Sequence, residues 1–179
     1  MKRNSLRKAA TGLAAISASF VSVLAFTSPA SAGVQSLKPQ SVTYYQFKNF
    51  YTGKCLDTGG QTNGSIVQQY TCNGTVNQQW SPRATDSGYF QMVVASSGRC
   101  MEVVNSSQDN YAVLQINDCN GGYNQQWTTR SSTRSNWPLL VARHSGKCLT
   151  PYNFSSVDRA QMMQYTCISD ATYMQWNRS

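Results

Sequence analysis

Apolar and polar residues alternate along this chain in short runs, and no stretch beyond residue 32 carries a helical period. Tyr45 and Phe47 stand on either side of Gln46, so every second position is aromatic until Phe50 breaks the rhythm. A period of two marks a strand with one buried face. Val93-Val94 and Leu139-Leu140-Val141 hold the equivalent place before Gly98 and Gly146. Ser65 to Tyr70, Val113 to Ile116 and Met162 to Tyr165 are further short strands. Gly59-Gly60, Asn63-Gly64, Asn73-Gly74, Ser96-Ser97-Gly98 and Asn120-Gly121-Gly122 separate them with turn chemistry. Many short strands at regular spacing predict an all-β sandwich or barrel.

The spacing comes from a repeat. Gly53-Lys54-Cys55-Leu56-Asp57 opens a segment that closes on Asn77-Gln78-Gln79-Trp80. Gly98-Arg99-Cys100-Met101-Glu102 opens a second that closes on Asn124-Gln125-Gln126-Trp127. Gly146-Lys147-Cys148-Leu149-Thr150 opens a third, closing on Tyr173-Met174-Gln175-Trp176. A fixed period of this size marks one supersecondary unit that buries its apolar face only against its neighbours. With about four strands per copy, roughly 43–88, 89–135 and 136–179, the expectation is about twelve strands around a pseudo-threefold axis.

The amino-terminal 32 residues follow another pattern. Lys2, Arg3, Arg7 and Lys8 precede an uncharged, mostly apolar run from Leu13 to Phe26, and Ala30-Ser31-Ala32 offers a small-residue cleavage site. This is the layout of a secretory signal, and the run is shorter than the roughly 18 apolar residues of a membrane span. Residues 33–42, with Pro39, read as a mobile lead-in to a domain at 43–179. The signal holds four of the 15 Lys and Arg, which leaves 11 against 7 Asp and Glu, a net +4 for the exported part. Those cations are scattered singly, whereas a nucleic-acid footprint wants them clustered. Charged residues make up 12% of the chain, about half of the usual share, so the surface is rich in neutral hydrogen-bonding groups.

All six cysteines lie in the exported part, two per repeat: Cys55 and Cys72, Cys100 and Cys119, Cys148 and Cys167. Six cysteines allow about 15 pairings, and sequence alone selects none. Three bridges within repeats is the simplest pattern consistent with the repetition, each worth about 3 kcal/mol in chain-entropy models. A zinc site would want closely spaced Cys and His ligands; His144 is the single histidine. No metal or other cofactor is called for.

The Gly-Lys-Cys-Leu-Asp opening, the aromatic two residues before the second cysteine and the Asn-Gln-Gln-Trp close resemble the ricin B-type lectin family and the carbohydrate-binding modules of bacterial xylan-degrading enzymes. The resemblance covers about Thr43 to Ser179 and implies a β-trefoil that binds galactose- or xylose-type sugars. It implies buried structural roles for Trp80, Trp127 and Trp176. In the first repeat it implies sugar contacts from Asp57, Gln68, Tyr70, Asn77 and Gln78. The chemistry fits: a carboxylate accepts charge-assisted bonds from adjacent ring hydroxyls, amides donate and accept together, and an aromatic ring covers the C–H face of the sugar. The second repeat keeps Gln115, Asn124 and Gln125 but has Glu102 for the aspartate and Asn117 for the aromatic, which leaves a weak second site. Tyr111, in the nearby loop, is its candidate stacking face. The third repeat has Thr150, Met163, Tyr173 and Met174 where polar partners are wanted and keeps only Tyr165.

The resulting expectation is a secreted, non-catalytic lectin module with a glycan as partner, acting mainly through its first repeat. A glycosidase needs two carboxylates about 5–10 Å apart, and the seven acids here are spread thinly. A protein-binding trefoil, such as a protease inhibitor or toxin-complex subunit, is the alternative, since fold does not fix function. Such a binder has no need of five sugar-contacting residue types in one repeat.

Overall fold

Each repeat forms four strands, because the turn residues cut its apolar runs at four equivalent places. The structure, a computed structural model, describes residues 41–179; the expected export signal and residues 33–40 of the lead-in lie outside it. The first repeat contributes β1 (Phe47–Asn49), β2 (Cys55–Thr58), β3 (Val67–Tyr70) and β4 (Trp80–Ala84). The second contributes β5 (Phe90–Val94), β6 (Cys100–Val103), β7 (Leu114–Asn117) and β8 (Gln126–Arg130). The third contributes β9 (Leu139–Ala142), β10 (Cys148–Pro151), β11 (Met162–Tyr165) and β12 (Trp176–Arg178). Among the described residues the helical elements are single 3₁₀ turns.

Six strands close into a ring. β1 pairs with β12, β4 with β5, β5 with β8 and β8 with β9, all antiparallel. The bridges Tyr45–Trp80 and Leu139–Gln175 complete the circuit. Closure leaves these strands no free edge. The three remaining hairpins, β2–β3, β6–β7 and β10–β11, share one register: Leu56 faces Gln69, Met101 faces Ile116 and Leu149 faces Gln164. They meet through the bridges Ile66–Gln115, Gln68–Gln161 and Val113–Met163. A six-stranded barrel with a triplet of hairpins over it is the β-trefoil.

The tryptophans that close each repeat fill the centre, with at most 1% of their surface exposed. A buried indole N–H needs an acceptor, and each finds the same one. Trp80 Nε1 donates to Leu56 O at 3.0 Å, Trp127 Nε1 to Met101 O at 3.2 Å and Trp176 Nε1 to Leu149 O at 3.2 Å. Disulfides Cys55–Cys72, Cys100–Cys119 and Cys148–Cys167 close each repeat on itself. Just before the first cysteine of each pair, Gly53, Gly98 and Gly146 turn the chain with φ of 66°, 70° and 66°, a region in which a Cβ is strained.

The repeats are clamped to one another by their hairpin tips. Gly64 N donates to Ile116 O (3.0 Å), Tyr111 N to Gln164 O (2.9 Å) and Arg159 N to Gln69 O (2.8 Å), so each tip docks on the third strand of the next repeat. All three tip residues are left-handed, with φ of 82°, 70° and 65°. Alternation fails at one informative place. Asn49 takes the inward position after Tyr45 and Phe47, fully buried, because its amide serves a turn: Nδ2 donates to Tyr173 O at 2.9 Å and Oδ1 accepts from the amides of Tyr51 and Thr52.

Truncating one of the three indoles removes a large buried area and leaves a cavity. Trp127→Ala is expected to cost about 3–5 kcal/mol, read as the shift in a denaturant midpoint under oxidising conditions. An unchanged midpoint would contradict this packing.

Candidate functional site

The first-repeat residues come together because of strand register. Asp57 on β2 lies directly opposite Gln68 on β3, and Tyr70 follows two residues later, on the same face of the strand. Gln68 Nε2 donates to Asp57 Oδ1 at 2.9 Å. The 3₁₀ turn Val76–Gln78 then brings Asn77 to the same place. Asp57, Gln68, Tyr70 and Asn77 line an open cleft of about 570 Å³, together with Ile66 and Arg159. Asp57 is the one carboxylate in that lining.

The environment of Asp57 leaves it short of donors. Of the bonds among described residues, the Gln68 amide is the one made to its oxygens at hydrogen-bond distance, although a carboxylate has about four acceptor positions. Burial pushes its carboxyl above the ordinary value; the Gln68 amide, and after it the neighbouring Gln78 amide, which lies outside hydrogen-bond distance, offset part of that. The charge of Asp158 acts in the same upward direction. Asn77 Oδ1 is likewise buried without a partner, a state that costs about 1–3 kcal/mol unless a donor arrives. The cleft therefore presents the free acceptor positions of Asp57 beside the ring of Tyr70, with the unpartnered Asn77 oxygen buried in its wall.

Gln78 is placed differently from the other four. It is fully buried beneath the cleft, where Oε1 accepts from Asn73 N at 2.9 Å and Gln46 Nε2 at 3.2 Å, and Nε2 donates to Thr71 O at 3.1 Å. It holds the loop after Cys72 in position. Gln125 does the same in the second repeat, accepting from Asn120 N at 2.9 Å and donating to Asp118 O at 2.9 Å. In the third repeat Met174 keeps a remnant of this contact, its sulfur facing Ile168 N at 3.4 Å.

The second-repeat residues also converge, but on one another. Glu102 Oε1 accepts from Gln115 Nε2 at 2.8 Å and Asn117 Nδ2 at 3.1 Å. Its Oε2 accepts from Gln125 Nε2 at 2.9 Å and Asn124 Nδ2 at 3.5 Å. The extra methylene lets the carboxylate reach all four amides, and its acceptor positions are filled from within. Tyr111 does not supply the missing stacking face there. It packs edge-on against Tyr165 of the third repeat, with ring centroids 5.1 Å apart, because its tip docks on that repeat.

The third-repeat positions are packed shut. Thr150, Met163 and Met174 are buried, Thr150 Oγ1 faces Tyr173 O at 3.4 Å, and Phe154 lies between Tyr165 (5.4 Å) and Tyr173 (4.5 Å). The residue that a repeat-by-repeat reading misses is Arg159. It belongs to the third copy yet lines the cleft of the first, and a threefold alignment of the hairpin tips is the signal that finds it.

The family model described as the ricin-type β-trefoil lectin domain matches residues 43–176, and the chain belongs to that family. A comparison with curated proteins returned no match. Among solved structures, the designed three-fold symmetric protein ThreeFoil is 34% identical, with a TM-score of 0.72 over 75% of this chain and 96% of its own. An exo-β-1,3-galactanase from Clostridium thermocellum is 30% identical, with a TM-score of 0.73 over 78% of this chain but only 30% of the enzyme. The Rhizoctonia solani agglutinin shares the fold at 16% identity and a TM-score of 0.67, over 80% of this chain and 98% of its own.

The raised Asp57 carboxyl has a definite sign. Its folded-state value lies above the unfolded one, so the stability it contributes is present below the ordinary carboxylate range and is lost as pH rises through the folded value. Carbon-detected NMR titration should place Asp57 above the exposed carboxylates, and Gln68→Ala should raise it further. A value at or below theirs would contradict the donor shortage.

Proposed function

We propose that this protein is an exported, non-catalytic lectin that holds galactose- or xylose-type sugars in the cleft of its first repeat. The observation that carries the reading is the Asp57 carboxylate, buried but with a single close internal donor, at the floor of an open cleft. Vicinal ring hydroxyls donate to its free acceptor positions, charge-assisted and therefore stronger than neutral bonds. The Asn77 side-chain amide, also in the lining, serves a further hydroxyl. Gln68 orients the carboxylate while its own oxygen accepts, and Tyr70 covers the apolar face of the sugar. Hydrolysis needs a pair of carboxylates, and the cleft supplies one. The galactanase acts on a sugar polymer, which accords with sugar recognition here, and the chain spans about 30% of that enzyme's length.

The second repeat is a retired version of the same site in this reading. A sugar there would have to displace amides already bonded to Glu102. The third repeat has Thr150 and no carboxylate at the equivalent position. One site per chain also denies the isolated domain the avidity of a multivalent lectin, so as a monomer it agglutinates cells poorly.

Calorimetry with galactose and xylose oligosaccharides tests this. Asp57→Ala should remove about 1.5–3 kcal/mol of binding, enough to abolish it at a shallow site, and Tyr70→Ala should do comparable damage. Glu102→Ala should leave affinity intact while lowering stability by about 1–3 kcal/mol, because it strands buried amides. Thr150→Ala should change no affinity. Full affinity and stoichiometry in Asp57→Ala would overturn the assignment.

A further inference from the structure

The hairpin tips that clamp the repeats together also decide what stands over each site. The tip residues Gly64, Tyr111 and Arg159 occupy one threefold-related position, each left-handed and each bonded to the third strand of the next repeat. Their positions reach the neighbouring site. A Cβ on Gly64 would lie 3.9 Å from Gln115 Oε1 of the second repeat, Tyr111 meets Tyr165 of the third, and Arg159 lines the cleft of the first. A left-handed backbone disfavours any side chain by roughly 1–2 kcal/mol. The first repeat uses glycine there; the third repeat keeps an arginine.

The segment that presents Arg159 is held firmly. Gln69 Nε2 donates to Ser155 O (2.9 Å) and Val157 O (3.0 Å), and Gln69 N donates to Ala160 O (2.9 Å). Asp158 pairs with Lys54 at 2.7 Å and accepts from Thr71 N at 2.8 Å, with the Lys54 ammonium holding its carboxyl below the usual range. The Arg159 guanidinium pairs with no carboxylate among the described residues, where the ion pairs use Lys54, Arg99 and Arg143, and the charge felt by Asp57 is that of Asp158. The backbone at Arg159 is thus held, its exposed guanidinium has no counter-ion among the described residues, and a guanidinium at the wall of a sugar cleft matches a carboxylate or sulfate in geometry.

Resting on the first-repeat site proposed above, we infer that this site is composite: Arg159 of the third repeat extends it to recognise glycans with a carboxylate or sulfate beside the bound sugar. Asp57 takes hydroxyls and repels anions. The acidic group therefore sits on a substituent or on the adjoining residue of the glycan, not on the ring that Asp57 holds.

The test compares matched glycans on the exported protein: xylotetraose with and without a glucuronic acid branch, and galactobiose with and without a sulfate ester. Wild type should bind an acidic member about three- to fivefold more tightly than its neutral partner, the gain of an exposed ion pair, and lose the gain in high salt. Arg159→Gly keeps the left-handed backbone and so the fold, and should erase the preference without changing affinity for the neutral glycans. Arg159→Lys should retain part of it. The two acidic arms distinguish a uronate from a sulfate as the preferred source. Equal affinity of wild type for acidic and neutral partners, or a preference that survives Arg159→Gly, would overturn the inference and leave the sugar site standing. Failure of all four glycans to bind would overturn both.

Discussion

One hydrogen bond, made three times, ties the core of this protein to its surface chemistry. The indole of each repeat's last tryptophan donates to the carbonyl just before the site position: Leu56 before Asp57, Met101 before Glu102, Leu149 before Thr150. Burying the indole and satisfying its N–H therefore fix the backbone from which the site side chain projects. The bond is the same in all three copies. The residue after it is free to vary, and it is there that the copies diverge.

The three outcomes differ in who fills the acceptors. Asp57 is short, reaches one close amide and keeps capacity toward the cleft. Glu102 is one methylene longer and satisfies four amides, which stabilises its repeat and uses up the charge. Thr150 has no charge, and Phe154, Tyr165 and Tyr173 pack over the place where a ligand would lie. A carboxylate that is fully satisfied inside the fold serves stability. One left short of donors carries a desolvation cost, consistent with the upward direction of its carboxyl, and under the proposed function a polyhydroxylated ligand would relieve it.

Much of this was legible in the residues. Glycines at the tight turns, paired cysteines and the recurring tryptophan set strand number and register, and register alone puts Asp57 opposite Gln68. Residue types also show how far each repeat keeps the family's site positions. What they could not carry was bonding. Glu102 counts as a conservative replacement until its four amide donors are seen. Gln78 matches a sugar-contacting type yet lies beneath the floor, holding a loop. Asn49 breaks the apolar alternation because it caps a turn from inside. Arg159 and Tyr111 were hidden for a different reason: a repeat read as self-contained has no way to show that its tip belongs over its neighbour's site.

The central claim is that ligand binding follows unsatisfied acceptors rather than the presence of an acid, and side-chain amides report on it directly. Titrating the isotopically labelled protein with a xylose or galactose oligosaccharide, while following the amide signals of Gln68, Asn77, Gln115, Asn117 and Asn124, separates the repeats in one experiment. The account predicts saturable shifts at Gln68 and Asn77, with Gln115, Asn117 and Asn124 unmoved on their carboxylate. Equal shifts in both sets, or shifts confined to the amides around Glu102, would contradict it.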